Sequence, residues 1–246
     1  MSGPPAAPLT PPHGFWQAIH PPGTLAPGPD LWPAALPDGR QLALPVRVLP
    51  GDGTMAVASL ILNQASFAVL DALADAVAAG LRPFAPEVVV AVPTLGLPLA
   101  EGVARRLGHG RMVALGTSRK FWYDEALSQP LSSITTPGEK RIYLDPRMIP
   151  VLAGRRAVLV DDVASCGRTL AAVARLLEGA GVRPAALGFA MLQGEGWRAA
   201  LAAGPWAGVP VVAALATPRL RREGGGWGPE CVEPGRRPAE PEQGRP

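Results

Sequence analysis

The sequence predicts an α/β fold in which helices cover both faces of a parallel sheet. Two observations lead to this prediction. Short apolar runs bounded by proline or glycine, such as "APEVVVAVP", have the length and composition of buried strands. These runs alternate with segments whose apolar residues repeat at helical spacing, which is typical of parallel strands joined by crossover helices.

The individual elements follow from the same patterns, in chain order. Apolar residues at intervals of three and four mark each helix, and a glycine marks each helix end. The predicted elements are a helix from Phe67 to a stop at Gly80, a strand at residues 88–92, a helix ending at Gly108, the strands "RMVAL" and "RRAVLVDD", a helix closed by Gly179, and the strands "PAALGFAML" and "VPVVAAL".

Both ends of the chain are predicted to be disordered. Thirteen of the 30 prolines fall within the first 50 residues, a density unfavourable to helices and central strands. The end of the chain from Arg221 is equally poor in core-forming residues. We therefore predict one folded domain at residues 40–219, between a Pro-rich disordered tail at 1–39 and a disordered tail at 220–246.

Composition excludes several classes of protein. No run reaches the roughly 18 apolar residues of a membrane span, and the start of the chain lacks the charged and apolar regions of a signal peptide. Two cysteines form neither a disulfide framework nor a metal cluster, which favours a reducing compartment. The net charge of +3 gives no support to nucleic-acid binding. We expect a cytoplasmic protein without nucleic-acid or membrane partners.

One segment interrupts the alternation of strands and helices. The 35 residues from Gly116 to Pro150 are too many for a plain connection in a compact domain. Within them, "LSSITTPGEKRIYLD" has a Pro-Gly turn between two strand-like runs, which predicts a hairpin. Long segments of this kind are either lids over a binding site or surface insertions, and both interpretations stay open here.

The stretch "VLVDDVASCGRTL", residues 158–170, carries the predicted chemistry. Asp161 and Asp162 end a strand, and α/β proteins bind ligands beyond the carboxyl ends of their strands. The loop that follows consists of Ala164, Ser165, Cys166, Gly167, Arg168 and Thr169. It leads into a helix whose first amides have no internal partner and favour a phosphate. Because two carboxylates would repel phosphate, they suit the vicinal hydroxyls of a sugar, and the stretch predicts a sugar-phosphate site.

Three other kinds of site that use a similar stretch are excluded by the sequence. A response-regulator receiver needs a later phosphorylatable Asp, and no Asp follows Asp162. A haloacid-type phosphatase needs Asp-x-Asp and a P-loop needs Gly-Lys-Ser/Thr, and the stretch contains neither pattern. Two alternatives stay open: a nucleophilic Cys166, for which no histidine is an obvious base, and a solvated strand end followed by a capped helix.

The same stretch resembles the phosphoribosyl-diphosphate signature of the type I phosphoribosyltransferases. Two further segments follow that family's order. "VAVPTLGLPLA" resembles its diphosphate loop, which implies that the backbone amides around Thr94, Leu95 and Gly96 meet the leaving group. "TSRK" is similar to the Arg-Lys of the purine branch, which implies that Arg119 and Lys120 lie near the diphosphate.

The resemblance extends to the nucleobase side. "MAVASLILNQ" resembles the "Leu-Asn-His-Gln" stretch of xanthine phosphoribosyltransferases, which implies that Asn63 lies beside the base. Gln193 stands where those enzymes carry a base-facing Lys. The likeness covers about residues 54–216 and points to the purine branch of the family, with adenine and xanthine enzymes as the relevant types.

The resemblance implies an activity, a cofactor and an assembly. The implied reaction transfers the ribose 5-phosphate of phosphoribosyl diphosphate to a nucleobase, most simply a purine, and releases diphosphate. Asp161, Asp162 and Lys120 are the implied catalytic residues, with Mg²⁺ near the two aspartates, a hairpin lid over the site and a homodimer as the assembly. Two alternatives stay open: a regulatory protein of the same fold that senses phosphoribosyl diphosphate without turnover, and an adapted binding or hydrolytic protein on the same fold.

Overall fold

The computed structural model of the chain describes residues 10–131 and 140–230. The α-helices are α1 (Phe67–Leu81), α2 (Gly96–Arg106), α3 (Ile149–Leu152), α4 (Arg168–Gly179) and α5 (Gly196–Ala202). The strands are β1 (Ile19–His20), β2 (Leu31–Ala35), β3 (Gln41–Val48), β4 (Met55–Ala58), β5 (Val88–Ala91), β6 (Val113–Ala114), β7 (Ser128–Pro130), β8 (Arg141–Tyr143), β9 (Ala157–Ala164), β10 (Ala186–Gln193), β11 (Val211–Thr217), β12 (Arg219–Glu223) and β13 (Gly226–Pro229).

Five strands form a parallel sheet in the order β11-β10-β9-β5-β6. Successive residues of the central strand β9 enter different cores, since strand side chains point alternately to the two faces. Val158 and Val160 pack with α1 and α2, whereas Ala157 and Leu159 pack with α4. Both faces are therefore covered, and the predicted α/β fold is confirmed.

A second, antiparallel sheet has the order β1-β3-β4-β12-β13, with β2 added on β3. Both predicted tails contribute to it, so the prediction of disorder is wrong for residues 10–39 and 220–230. Phe15 and Trp16 are each only 5% exposed, and Trp227 packs against Leu220 in a small core of its own. The prolines misled the prediction because Pro33 lies in β2, which pairs only with β3, and an edge strand tolerates proline. Residues 1–9 and 231–246 lie outside the described residues, and their predicted disorder stays a prediction.

The end of helix α1 departs from the predicted stop for a packing reason. Helix α1 continues through Gly80 to Leu81. A Cβ at position 80 would lie 2.2 Å from Cγ1 of Val212 in β11, so this glycine permits close contact between helix and sheet instead of ending the helix. The short helices α3 and α5 were not predicted. None of the helices in the described part of the chain is long and apolar enough to cross a membrane.

The interruption between Gly116 and Pro150 contains the predicted hairpin. Strands β7 and β8 pair antiparallel, and the backbone N–H of Leu131 donates to the carbonyl of Lys140 at 2.7 Å. The Pro-Gly turn itself falls within residues 132–139, which are not described. Ile142 and Leu144 are fully buried in the core that contains α4. The base of the hairpin is therefore part of the domain core, and opening or closing of its tip as a lid stays a prediction.

Candidate active site

The two aspartates lie in the second half of β9, towards the carboxyl edge of the parallel sheet, and the strand continues past the predicted end to Ala164. Asp161 is 8% exposed and Asp162 is half-buried. Oδ1 of Asp161 accepts a hydrogen bond from the backbone N–H of Asp162 at 2.8 Å. Burial, followed by the negative charge of Asp162, raises the pKa of Asp161 well above its usual range. The pair is thus a buried acid beside a more accessible one.

Helix α2 begins directly against this pair. A Cβ at Gly96, the first residue of α2, would lie 2.8 Å from Oδ1 and 2.9 Å from Cα of Asp161. Any larger residue would force the helix away from the strand. The turn before α2 contains Thr94 and Leu95, and the peptide bond between Pro93 and Thr94 is cis. The structure therefore brings the predicted diphosphate loop beside the aspartates.

The predicted phosphate loop leads from β9 into α4. Gly167 precedes the helix with φ of +77°, in the left-handed region that disfavours residues with a side chain. A Cβ there would also lie 2.3 Å from Cβ of Ala200 in α5. The sequence pointed only to close approach of the backbone to a phosphate. The structure adds two reasons for glycine, the left-handed turn and the contact with α5.

A cavity of about 110 Å³ joins the loop to Asp161, the buried member of the acid pair. Its polar wall contains Asp161 and the loop residues from Ala164 to Thr169, and its apolar floor contains Val92, Leu159 and Phe189. Cavities that enclose whole small molecules are typically several times larger. This one therefore has room for a single group about the size of a phosphate.

Cys166 is an exposed free thiol in this loop. Burial acts to raise the pKa of Cys166, but hydrogen bonds from the backbone and side chain of Arg168, together with its positive charge, lower the pKa overall. The positive charge at the start of α4 that stabilises a thiolate would also stabilise an anionic ligand. No histidine in the described residues is hydrogen-bonded to Cys166, and the nucleophile alternative has no base to support it.

Gln193 connects the phosphate loop to the antiparallel sheet. Its Oε1 accepts a hydrogen bond from Oγ of Ser165 at 3.2 Å, and its Nε2 donates to the backbone carbonyl of Ala58 at 2.8 Å. Both ends of the side-chain amide are therefore engaged within the protein. Sequence reasoning missed Ala58, and no side-chain signal could have found it because its backbone carbonyl makes the contact.

The other predicted residues lie on exposed segments. Asn63 is exposed on a 3₁₀ turn, Leu62–Gln64, that follows β4. Arg119 and Lys120 are exposed in the segment before the hairpin, where Nη1 of Arg119 lies 3.5 Å from Oε2 of Glu125. Among the described residues, no hydrogen bond or ion pair joins these three side chains to the aspartates. Their predicted roles stay predictions.

The carboxylates of the site fit a magnesium ion that is coordinated mainly by the phosphates of a bound substrate. Within residues 10–131 and 140–230, no three or more His, Cys, Asp or Glu side chains are grouped as a metal site would require. Mg²⁺ is commonly held by one or two carboxylates together with substrate phosphates, so an all-protein cage is not needed. Asp161 and Asp162 supply such carboxylates beside the cavity.

Comparisons with known proteins agree with this geometry. The Phosphoribosyl transferase domain profile matches residues 58–202, more than half of the chain. An adenine phosphoribosyltransferase of Rhodococcus opacus is 42% identical over 99 residues, 40% of this chain and 53% of that protein. The bifunctional protein PyrR of Trichormus variabilis is 33% identical over 131 residues, 52% of this chain and 68% of that protein.

A solved structure gives the same fold. The APRTase of Giardia lamblia, complexed with 9-deazaadenine, superposes with a TM-score of 0.54 at 23% identity, covering 70% of this chain and 93% of that one. By contrast, the chain spans only about half the length of the Rhodococcus relative. The matched profile, the parallel sheet and the loop at the end of β9 agree: the chain belongs to the phosphoribosyl transferase domain family and has the type I phosphoribosyltransferase fold.

Proposed function

We propose that this protein transfers the ribose 5-phosphate of phosphoribosyl diphosphate to a nitrogen of a nucleobase and releases diphosphate. One observation carries the proposal. The acid pair, the start of α2 and the glycine-containing loop before α4 converge at one edge of the parallel sheet. Each of these three features suits a different part of the same substrate.

The 5′-phosphate is assigned to the cavity at the start of α4. The first amides of this 12-residue helix have no intrahelical acceptors, and the helix dipole favours an anion there. Arg168 and the hydroxyl of Thr169 add a charge and a donor at the exposed rim. Ser165 is engaged with Gln193 in the structure, so a bound phosphate would compete for its hydroxyl.

The ribose hydroxyls are assigned to Asp161 and Asp162. Carboxylate oxygens accept short, strong hydrogen bonds from hydroxyls, and this pair lies next to the phosphate cavity. As the bond from C1′ to the diphosphate breaks, positive charge grows on the ribose ring. The negative charge of the aspartates stabilises that ring more in the transition state than in the ground state, which lowers the barrier.

The leaving diphosphate is assigned to the turn before α2, where Gly96 lies against Asp161 and the backbone amides of Thr94, Leu95 and Gly96 would meet it. Lys120 would add a positive charge when its segment lies over the site. Such groups accelerate reaction because negative charge on the diphosphate increases as the bond breaks. Mg²⁺, when bound with the substrate near Asp161 and Asp162, supplies neutralisation of the diphosphate charge.

We propose a purine as the acceptor. The name of the Rhodococcus relative and the resemblance around Asn63 support this choice. Asn63 lies on an exposed turn and can present its amide to a base. Both ends of the Gln193 side-chain amide are bonded within the protein, to Ser165 and to Ala58. This favours a role in positioning the strand end before the Asn63 turn over direct contact with the base. Cytoplasmic location, a homodimeric assembly and the lack of nucleic-acid and membrane partners stay predictions.

The proposal is tested by incubating the full chain with phosphoribosyl diphosphate, Mg²⁺ and each member of a panel of purines and pyrimidines. Released diphosphate and the nucleotide product are both measured, and reactions without acceptor are the control. We expect diphosphate release that depends on a purine, with an equal amount of nucleotide formed. Tight binding of phosphoribosyl diphosphate without release for any base would leave the sensing alternative.

A further inference from the structure

A segment near the start of the chain contacts the loop that carries Asn63. We call residues 15–17 the N-terminal clamp and residues 59–66 the acceptor loop. The clamp lies outside the residues matched by the family profile, which begin at 58. Phe15 and Trp16 are buried in the main core, whereas the side chain of Gln17 is exposed. The clamp is therefore anchored firmly while one of its side chains stays on the surface.

Four hydrogen bonds join the clamp to the acceptor loop near both ends of the loop. At its start, the indole N–H of Trp16 donates to the carbonyl of Ser59 at 2.9 Å. Towards its end, Nε2 of Gln17 donates to the carbonyl of Gln64 at 2.8 Å. Ser66 donates twice, from its backbone N–H to the carbonyl of Trp16 at 3.0 Å and from Oγ to the carbonyl of Gln17 at 2.9 Å.

The backbone of Trp16 has an unusual conformation that directs these bonds. Its φ of +63° lies in the left-handed region, which a bulky side chain rarely adopts because it costs free energy. The conformation allows the indole to reach Ser59 while the carbonyl of the same residue accepts from Ser66. The surrounding contacts hold the chain in this conformation.

The acceptor loop is also tied to the phosphate loop. Ala58, the residue before the acceptor loop, accepts a hydrogen bond from Gln193, which in turn accepts one from Ser165. The exposed turn with Asn63 is therefore held on one side by the clamp and on the other by the loop assigned to the 5′-phosphate. These contacts fix the distance between the two parts of the site.

We propose that Trp16 and Gln17 are positioning residues for the nucleobase acceptor. They hold the acceptor loop at a fixed distance from the bound sugar phosphate and so set the place of the base. This inference rests on the proposed transferase function. It requires that loss of the clamp weakens use of the nucleobase while use of phosphoribosyl diphosphate is little changed.

The test uses Gln17→Ala in the full chain, with Gln41→Ala as the matched control. Gln41 also bonds a backbone, that of Leu25, but does not contact the acceptor loop. Amide hydrogen exchange of residues 62–66 reports on the clamp without any substrate. Gln17 also donates to the carbonyl of Phe15 within the clamp, so the loop loses only the hydrogen bond to Gln64. Loss of that bond predicts about fivefold faster exchange there and an about fivefold higher KM for the purine. The KM for phosphoribosyl diphosphate and the thermal midpoint should be unchanged. Gln41→Ala should change neither the exchange of residues 62–66 nor either KM.

A second variant, Gln17→Glu, keeps the size of the side chain but removes its N–H donors, and should behave as Gln17→Ala does. Faster exchange with an unchanged purine KM would overturn the positioning role, and unchanged exchange would overturn the assignment of Gln17 as a residue that holds the acceptor loop. Equal rises in both KM values would also overturn it, because a general structural change would then explain the effect. If the unmutated protein turns over no base, the transferase function fails, and hydrogen exchange alone reports on the clamp.

Discussion

The parallel and antiparallel sheets of this protein differ in how they are built and in what they hold. The parallel sheet comes from one continuous stretch, and the groups that suit phosphoribosyl diphosphate lie at the carboxyl ends of its strands. The antiparallel sheet is assembled from both ends of the chain, and its strand β4 leads into the acceptor loop. The difference suggests a division in which one sheet holds the sugar phosphate and the other determines which acceptor reaches it.

The largest expected effect is that of Asp161→Asn, at the parallel sheet. Removing this charge should lower kcat/KM by about 10³-fold, the upper range for loss of one electrostatic stabiliser.

The same change should raise the thermal midpoint at pH 7. Since the folded state raises the pKa of Asp161, its contribution to stability is present at low pH and is lost as pH rises through the raised pKa. Melting curves from pH 4 to pH 8 measure this effect. The thermal midpoint of Asp161→Asn should fall less with rising pH than that of the unmutated protein.

Asp145→Asn is the control with the opposite sign. A hydrogen bond from Arg147 lowers the pKa of Asp145 to about 2, so this carboxylate stabilises the fold above the pH at which free aspartate titrates, about 4. Its stabilisation disappears as pH falls towards 2. Asp145→Asn should therefore lower the thermal midpoint at pH 7. Shifts of the same sign for both variants would contradict the assignment of Asp161 as a strained functional acid.

The next effect concerns Lys120, in the segment before the hairpin. Lys120→Ala should lower kcat by roughly 10²-fold, because its charge acts on diphosphate whose negative charge grows in the transition state. Affinity for phosphoribosyl diphosphate should fall less. Lys140→Ala is the matched control, since Lys140 is the only other lysine of the chain and is exposed in the hairpin that follows the segment of Lys120. Steady-state kinetics of both variants test this prediction. Equal losses of kcat in the two variants would show that Lys120 has no specific role at the site.

A smaller effect is expected at Cys166. Because hydrogen bonds and charge from Arg168 outweigh burial and lower the pKa of Cys166, alkylation by iodoacetamide should proceed at lower pH than for an ordinary thiol of pKa about 8.5. Bound phosphoribosyl diphosphate should slow alkylation roughly tenfold, the ratio for a site kept about 90% occupied. Peptide mass spectrometry follows the modification, and Arg168→Ala should shift its pH dependence upward. Unchanged alkylation of Cys166 at saturating phosphoribosyl diphosphate would show that the phosphate does not bind at this loop.

The smallest effect is expected at Gln193, where the two sheets meet. Gln193→Leu removes the bonds to Ser165 and Ala58 and should raise the KM values of both substrates about threefold, in line with the net worth of a hydrogen bond. This outcome differs from that of Gln17→Ala, which should affect only the acceptor. A change confined to the ratio of purine substrates would instead place Gln193 against the base.

The parallel sheet was predictable from the sequence because its signals are local. Apolar runs, helical periodicity and the small residues after Asp162 all report on neighbours within a few residues. The role of Gly80 was not predictable, since its contact with Val212 joins residues far apart in sequence. For the same reason, the close approach of Gly96 to Asp161 could be expected only from the family resemblance.

The antiparallel sheet was missed because its signals are weak or non-local. Pro33 in β2 and Pro45 in β3 argued against strands, although Pro33 lies in an edge strand, which tolerates proline. The aromatic pair Phe15 and Trp16 was the one local indication of a core in that region. On the site side, the contact between Gln193 and Ala58 spans 135 residues and involves a backbone carbonyl, which leaves no trace in the residue types.

The central claim is that phosphoribosyl diphosphate binds at the edge of the parallel sheet with its reacting carbon turned towards the acceptor loop. A crystal structure of the full chain with phosphoribosyl diphosphate, Mg²⁺ and a non-reactive purine analogue tests this most directly. We expect the 5′-phosphate at the amides of residues 164–169, the ribose hydroxyls on Asp161 and Asp162, and the purine beside Asn63. A phosphate bound elsewhere, or a ribose without contact to either aspartate, would contradict it.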